Sequence, residues 1–375
     1  MNIAIDIRAV GKQRTGDEVY TVQLIQGLKR LNTGHTFYLF TDSEDWYQIE
    51  VLRDLPEEWH VIPLLPKWKL IWTEYLLSQA CAKYHIDLLH IQYIAPFFLP
   101  KYTKMINTIH DISWKFVPEY IKPKDSLLLN TLIPLSVKKS DAIITVSQHS
   151  NYAIQTMFKT SADKVSTIYN GGYISTIPPV INTSTAVREV LNYNYILYLG
   201  SLQPRKNIPS AIKAFAQYLA DHPESELKFV IAGGKGYNYD TAIDDTIQQY
   251  NLKDKVVFVG FITEDEKIIL LRQAQLFIYL SLYEGFGIPL IEAMSMHTPV
   301  IAANTSCLPE VVGDAGILVD PHSVNQITEA ITTLIHNPLI AKQYKDKGDI
   351  RAQIFTWDTM VEKTYSLYKK LLLDQ

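Results

Sequence analysis

Short apolar runs alternate with stretches of helical periodicity from one end of this chain to the other, a pattern that suits parallel sheets covered by helices on both faces. In the first half the candidate strands are Ile3 to Ile7, Phe37 to Phe40, Val61 to Leu64, Leu88 to Gln92, Met105 to Ile109, Ala142 to Val146 and Val165 to Tyr169. Helical spacing lies between them at Asp17 to Leu31, Leu70 to Tyr84, Lys124 to Lys138 and Gln148 to Lys159. A polar, proline-bearing passage from Gly171 to Asn192 interrupts the pattern, which then restarts. Strands are expected at Ile196 to Leu199, Lys228 to Ala232, Val256 to Phe261, Leu276 to Leu280 and Val300 to Ala303, spaced by helices such as Ile208 to Leu219 and Glu264 to Gln273. A chain of 375 residues exceeds what one core comfortably serves. The expected α/β architecture is therefore two doubly wound domains, residues 1–172 and 193–355, followed by residues 356–375 as an amphipathic helix with Thr356 at its N-cap. Open parallel sheets bind ligands beyond their strand carboxyl ends, so the site is expected in a cleft between the domains.

Several function classes fall away on composition. The net charge of −4, with no local basic run, gives no footprint for nucleic acid. Cys81 and Cys307, each alone in an apolar segment, read as buried free thiols and suit a reducing cytoplasm. Asp6 interrupts what would be the apolar core of a signal peptide, and no run of ~20 apolar residues is present to span a bilayer.

Residues 281–321 concentrate the chemistry. Ser281 closes an apolar strand, and Gly285 and Gly287 give a loop whose backbone can approach a ligand. Pro289 suits the first helical position, which turns the N–H groups of Phe286, Gly287 and Ile288 toward an anion such as phosphate. Glu284 and Glu292 beside a phosphate site call for neutral hydroxyl donors, as on a sugar or a ribose. Gly200, Pro204, Arg205, Lys206 and Asn207 follow another strand end, where a rigid guanidinium fork and a mobile ammonium can neutralise a diphosphate. His110, followed by Asp111, ends the strand Met105 to Ile109; Asp111 either orients it or starts the next turn.

Glu284 and Glu292 stand as E-x7-E among Gly-Phe-Gly, Glu-Ala-Met and Leu-Pro-Glu-Val-Val-Gly-Asp-Ala-Gly, with HDISW near 110, LGSLQPRKN near 200 and FTWD near 357. In this order, over nearly the whole chain, the motifs resemble those of the family-four retaining glycosyltransferases. The resemblance implies the GT-B fold, two Rossmann-like domains facing a central cleft with the C-terminal helix packing back across the junction. It also implies hexose transfer from a nucleotide sugar with retention, no covalent intermediate on Glu284, and no cofactor. Catalytic parts fall to His110, Glu284, Arg205 and Lys206. Donor contacts fall to Gly16, Gly200, Arg205, Lys206, Glu284, Gly285, Phe286, Gly287, Ile288 and Glu292, with main-chain contacts to the nucleobase from Gly260, Phe261 and Ile262. No Asp-x-Asp occurs anywhere, so a metal-free mechanism is expected in which Arg205, Lys206 and the helix start replace a cation.

HDISW and LGSLQPRKN look most like bacterial mannosyltransferases of surface-polysaccharide assembly. GDP-mannose is the first expected donor and a UDP-sugar the second, with a glycan or lipid-linked acceptor. The rival readings are a nucleotide-sugar epimerase of the same fold, which E-x7-E argues against, and a non-catalytic nucleotide-sugar sensor. Residues 66–77, with Lys67, Trp68, Lys69 and Trp72, suit either a packed helix or peripheral contact with the inner face of a membrane through the first domain.

Overall fold

The computed structural model describes residues 1–12, 16–65, 71–174, 183–236 and 238–373. The chain divides into two compact units, Met1–Gly171 with Trp357–Gln375, and Gly172–Thr356. The first unit is built on strands β1 (Asn2–Asp6), β2 (Thr36–Thr41), β3 (Trp59–Pro63), β4 (Leu88–Gln92), β5 (Lys104–Thr108), β6 (Ala142–Thr145) and β7 (Val165–Thr167). They pair in the order β3-β2-β1-β4-β5-β6-β7, every pair parallel. The second unit uses β8 (Tyr195–Leu199), β9 (Lys228–Ala232), β10 (Val256–Gly260), β11 (Leu276–Tyr279), β12 (Val300–Ala303) and β13 (Ile317–Val319), again all parallel, in the order β10-β9-β8-β11-β12-β13.

Both orders reverse direction once. The reversal lies between β1 and β4 in the first unit and between β8 and β11 in the second, and such switch points open a crevice beyond the strand carboxyl ends. Strands such as β11 and β12 are buried along their whole length, which is why they read as unbroken apolar runs. Helix starts are fixed locally. Thr263 and Glu266 form a reciprocal capping box at Glu264–Gln273, and Ser147 accepts from the Ser150 N–H at the start of Gln148–Phe158.

The expected helix over residues 70–84 is wider at its start. Trp72–Leu76 forms a π-helical turn and only Leu77–Lys83 is α-helical, with Trp72 and Leu77 fully buried. The packed-helix reading thus holds for those two residues, whereas Lys67, Trp68 and Lys69 lie outside the described residues. The last helix, Trp357–Leu373, returns to the first unit, where Met360, Val361, Tyr368 and Leu372 join the core cluster of Ile5, Leu24 and Leu28.

A buried polar chain ties this helix down. The Tyr368 hydroxyl meets His90 Nδ1 at 2.5 Å, His90 Nε2 meets Thr108 Oγ1 at 2.7 Å, and Thr108 meets the Tyr20 hydroxyl at 3.1 Å. Burial, aided by the nearby His110, lowers the His90 pKa from 6.5 to about 3. Unfolded chain therefore takes up a proton at this ring below pH 6.5 that the folded unit refuses. The associated stability is intact above pH 6.5 and is lost as pH falls toward 3, by about 2 kcal/mol at pH 5. All six tryptophans lie in the first unit, so their fluorescence follows it alone. The urea midpoint by that signal should fall between pH 7 and pH 5, and His90→Leu should flatten the fall; an equally steep fall in that variant contradicts the assignment.

Candidate active site

The loop after β8 and the loop after β11 meet at the switch point of the second unit. Pro204–Lys206 makes one 3-10 turn, and Asn207, in the left-handed region at φ +55°, leads into the helix Ile208–Asp221. The Leu282 N–H donates to the Arg205 carbonyl at 2.8 Å and stitches the two loops together. Gly233, at the end of β9, admits a close approach from the same side. A Cβ there would stand 2.1 Å from the Gly200 carbonyl oxygen, which belongs to backbone and cannot give way.

This stitching brings Arg205, Lys206 and Glu284 together. Lys206, though charged, is only 6% exposed. Its Nζ donates to the Tyr279 hydroxyl at 2.8 Å and forms a short ion pair with Glu284 Oε1. Arg205 Nη1 lies 3.1 Å from the same oxygen and donates to the Tyr283 carbonyl at 2.8 Å, while the Tyr279 hydroxyl donates to Glu284 Oε1 at 3.0 Å. Burial alone would raise the Glu284 pKa, but Arg205, Lys206 and the Ser281 hydroxyl bring it down to about 2. The carboxylate is thus ionised at any working pH. Two cations against one anion leave the trio with an excess of one positive charge.

The loop beside it is held from below. The Glu284 N–H donates to Ser306 Oγ, which in turn donates to the Glu284 carbonyl, both at 3.0 Å. The Cys307 thiol donates to the carbonyls of Glu284 and Phe286 at 3.2 and 3.1 Å. Gly287 caps the helix Ile288–Ser295 at φ +107°, a conformation that favours glycine. One expectation needs correction here. Pro289 takes the second helical position, not the first, because Ile288 already has helical geometry after the Gly287 cap. Glu292 stands a full turn into the helix, buried against Lys267 at 2.6 Å. Burial works against the Lys267 ammonium, but Glu292 and Glu264 outweigh it and raise its pKa above the ordinary value.

The remaining candidates are dispersed. Gly200 follows β8, and Gly260 ends the edge strand β10, its carbonyl accepting from the Gly233 N–H at 2.9 Å. Phe261, expected within the strand, falls just beyond its end and is exposed, its ring covering Gly234; Ile262 follows it. Gly16 and His110 belong to the first unit, Gly16 at the start of the helix Gly16–Leu31.

His110 is buried at the carboxyl end of β5, and its tautomer follows from its neighbours. Thr21 gives its only proton to the Asp17 carbonyl, so it accepts from Gln92 Nε2 at 2.6 Å. Gln92 Oε1 therefore faces His110 Nε2 at 2.8 Å, and that nitrogen carries the proton. Burial lowers the His110 pKa, against the pull of Asp17 and Asp111, which keeps the ring neutral with Nδ1 as its acceptor. Asp111 accepts from the Ser113 N–H at 2.8 Å, so of its two open parts the one seen is that of starting the turn.

Residues 14–172 match the family described as Glycosyltransferase Family 4, and residues 182–351 match Glycosyl transferases group 1. O-antigen chain mannosyltransferase B of Escherichia coli is 30% identical over 280 residues, which cover 73% of each chain. The chain is a family-four glycosyltransferase. A glycosyltransferase from Rickettsia africae superposes with a TM-score of 0.75 over 100% of this chain and 99% of its own, at 18% identity. The Anabaena protein HepE, in complex with UDP and glucose, matches with a TM-score of 0.75 over 99% of this chain and 100% of its own, also at 18% identity. With its two parallel Rossmann-like sheets, this glycosyltransferase has the GT-B fold.

Sequence reasoning about this glycosyltransferase overlooked Tyr279, Lys267, Gln92 and Ser306. Each binds a chosen residue from a distant position, Tyr279 through Lys206, and none stands in a motif of its own. Among the described residues, no group of three or more His, Cys, Asp or Glu side chains is arranged to hold a metal ion, and no helix is long and apolar enough to cross a membrane.

Proposed function

We propose that this family-four glycosyltransferase moves a hexose from a nucleotide sugar to a glycan or lipid-linked acceptor, with retention at the anomeric carbon and without a metal ion. Mannose from GDP-mannose is the first choice, supported by the E. coli mannosyltransferase; a UDP-sugar is the second, supported by the UDP bound to HepE. Residues 193–355 take the donor and residues 1–172 the acceptor, in the cytoplasm and peripheral at the inner face of the membrane. The observation that carries this reading is the cluster of Arg205, Lys206 and Glu284 at a switch point, with an excess positive charge beside a helix start.

In this mechanism Arg205 and Lys206 stabilise the diphosphate as it leaves, a buried setting in which their charges are weakly screened. Gly200, Gly285, Phe286, Gly287 and Ile288 bring the backbone to the phosphates, as Gly16 does from the first unit. Glu284 takes the sugar hydroxyls, Glu292 the ribose, and the backbone of Gly260, Phe261 and Ile262 the base. Neutral His110 hydrogen bonds to the transferred sugar. The leaving phosphate accepts the proton of the acceptor hydroxyl, so that the new glycosidic bond forms on the face from which the old one breaks. Arg205 and Lys206, together with the missing Asp-x-Asp, support the metal-free form.

Incubation with GDP-mannose or UDP-glucose in EDTA, without acceptor, tests the reading. Slow release of the nucleoside diphosphate supports a transferase. An altered sugar still attached to its nucleotide indicates an epimerase, binding without turnover indicates a sensor, and release only after magnesium is restored refutes the metal-free form.

Glu292→Gln should weaken GDP-mannose binding by roughly tenfold with little change in kcat, since a ribose contact differs little between ground and transition states. Calorimetric titration checks this. An unchanged Kd with a lowered Tm would confine Glu292 to its part as the partner of Lys267.

A further inference from the structure

The first unit has its own crevice, of about 370 Å³, at its switch point between β1 and β4. Its wall is rich in charge, yet nearly all of that charge is cancelled in place. Arg8 grips Asp6 through two contacts, Nε to Oδ1 at 3.0 Å and Nη2 to Oδ2 at 2.6 Å. The same guanidinium donates to Thr73 Oγ1 at 3.2 Å and lies 3.8 Å over the Trp72 ring, which the π-helical turn presents. Arg8 is therefore committed on both edges and one face. Lys12 Nζ bonds Asp42 Oδ2 at 2.5 Å, and Gln92 is fixed between Thr21 and His110.

Two buried polar atoms on this wall lack a hydrogen-bond partner among the described residues, Trp72 Nε1 beneath the Arg8 guanidinium and Asp42 Oδ1. Asp42 is only 8% exposed. A buried carboxylate oxygen in that state costs free energy until a donor reaches it. Counting Asp6, Asp17 and Asp42 against Arg8 and Lys12, the wall carries one net negative charge. Such a surface repels phosphate and carboxylate and welcomes neutral hydroxyl donors.

We propose that this crevice is a second ligand site, built for a neutral polyhydroxylated ring of the sugar type, with Asp42 Oδ1 accepting one of its hydroxyls. Resting on the transferase reading, it is where the acceptor presents a neutral sugar residue, beside His110, which shares Gln92 with the wall. The acceptor's recognised part is then a sugar ring and not a lipid phosphate or an acidic sugar.

Saturation-transfer NMR on the full chain with methyl α-mannoside, methyl β-glucuronide and mannose 6-phosphate tests this without any nucleotide. The neutral glycoside is expected to bind at least tenfold more tightly than either anion, and Asp42→Leu to weaken its binding at least tenfold. Equal or tighter binding of an anion overturns the proposal, as does neutral binding that is unchanged in a folded Asp42→Leu variant. The comparison of ligands uses the unaltered chain, so it decides even if Asp42→Leu fails to fold. GDP-mannose binding, measured separately, reports on the donor reading: its loss in the unaltered chain with neutral-sugar binding intact would fault that reading and not the crevice.

Discussion

Lys206→Ala should lower kcat by ~10²-fold or more while KM changes little, as expected for a preorganised charge that meets the leaving diphosphate most strongly in the transition state. The structure sharpens this expectation. Lys206 is buried, and its ammonium is held by Tyr279 and Glu284, so its position is set before a donor arrives. Removing it also leaves Glu284 with Arg205 as its remaining cation, and a buried carboxylate with a lost partner destabilises the fold. Loss of stability and loss of chemistry must therefore be read separately. Lys206→Met keeps the packing of the aliphatic stem and should show the same fall in kcat with a smaller fall in Tm. An unchanged kcat in a folded Lys206→Met variant would make the lysine a structural counterion of Glu284 and nothing more.

Glu284→Gln should be as damaging to turnover, by ~10²-fold or more, with donor affinity altered much less. The amide keeps the shape of the side chain and removes the charge that Lys206, Arg205 and Tyr279 all address through one oxygen. Because those two cations, set against burial, bring the Glu284 pKa down to about 2, its ionisation contributes no acid limb to the rate above about pH 4. In a sugar-binding part, the substitution should also change the ratio of rates with GDP-mannose and GDP-glucose. A variant that loses turnover equally with both sugars, and binds each as before, would assign Glu284 to holding Lys206 alone.

Much of this arrangement could be read from the chain because parallel strands buried on both faces are mostly apolar, as in β11 and β12. The strand Ile317–Val319 escaped notice because its three residues lie between Gly316 and Asp320, inside a stretch read as a motif. The π-helical turn at Trp72–Leu76 escaped because its apolar spacing passes for that of an ordinary helix. In the site, Arg205, Lys206 and Glu284 were each conspicuous at a strand end. Their mutual ion pairs were not, since Lys206 and Glu284 stand 78 positions apart, with Arg205 one further, and their contact depends on strand order. Glu292 stood out as the second carboxylate of E-x7-E, and its pairing with Lys267 did not, because the helix that carries Lys267 has no motif. His110 stood out as a histidine at a strand end, but its tautomer required Thr21 and Gln92, which only the fold brings to it.

The central claim is retaining transfer from a nucleotide sugar by the cluster of Arg205, Lys206 and Glu284. Its most direct test is the anomeric configuration of the product formed from GDP-α-mannose and a neutral sugar acceptor, read by proton NMR. The account predicts an α-linked product, formed by the unaltered chain and nearly absent with Lys206→Met, and no glycosyl adduct on Glu284 by mass spectrometry. A β-linked product would contradict it.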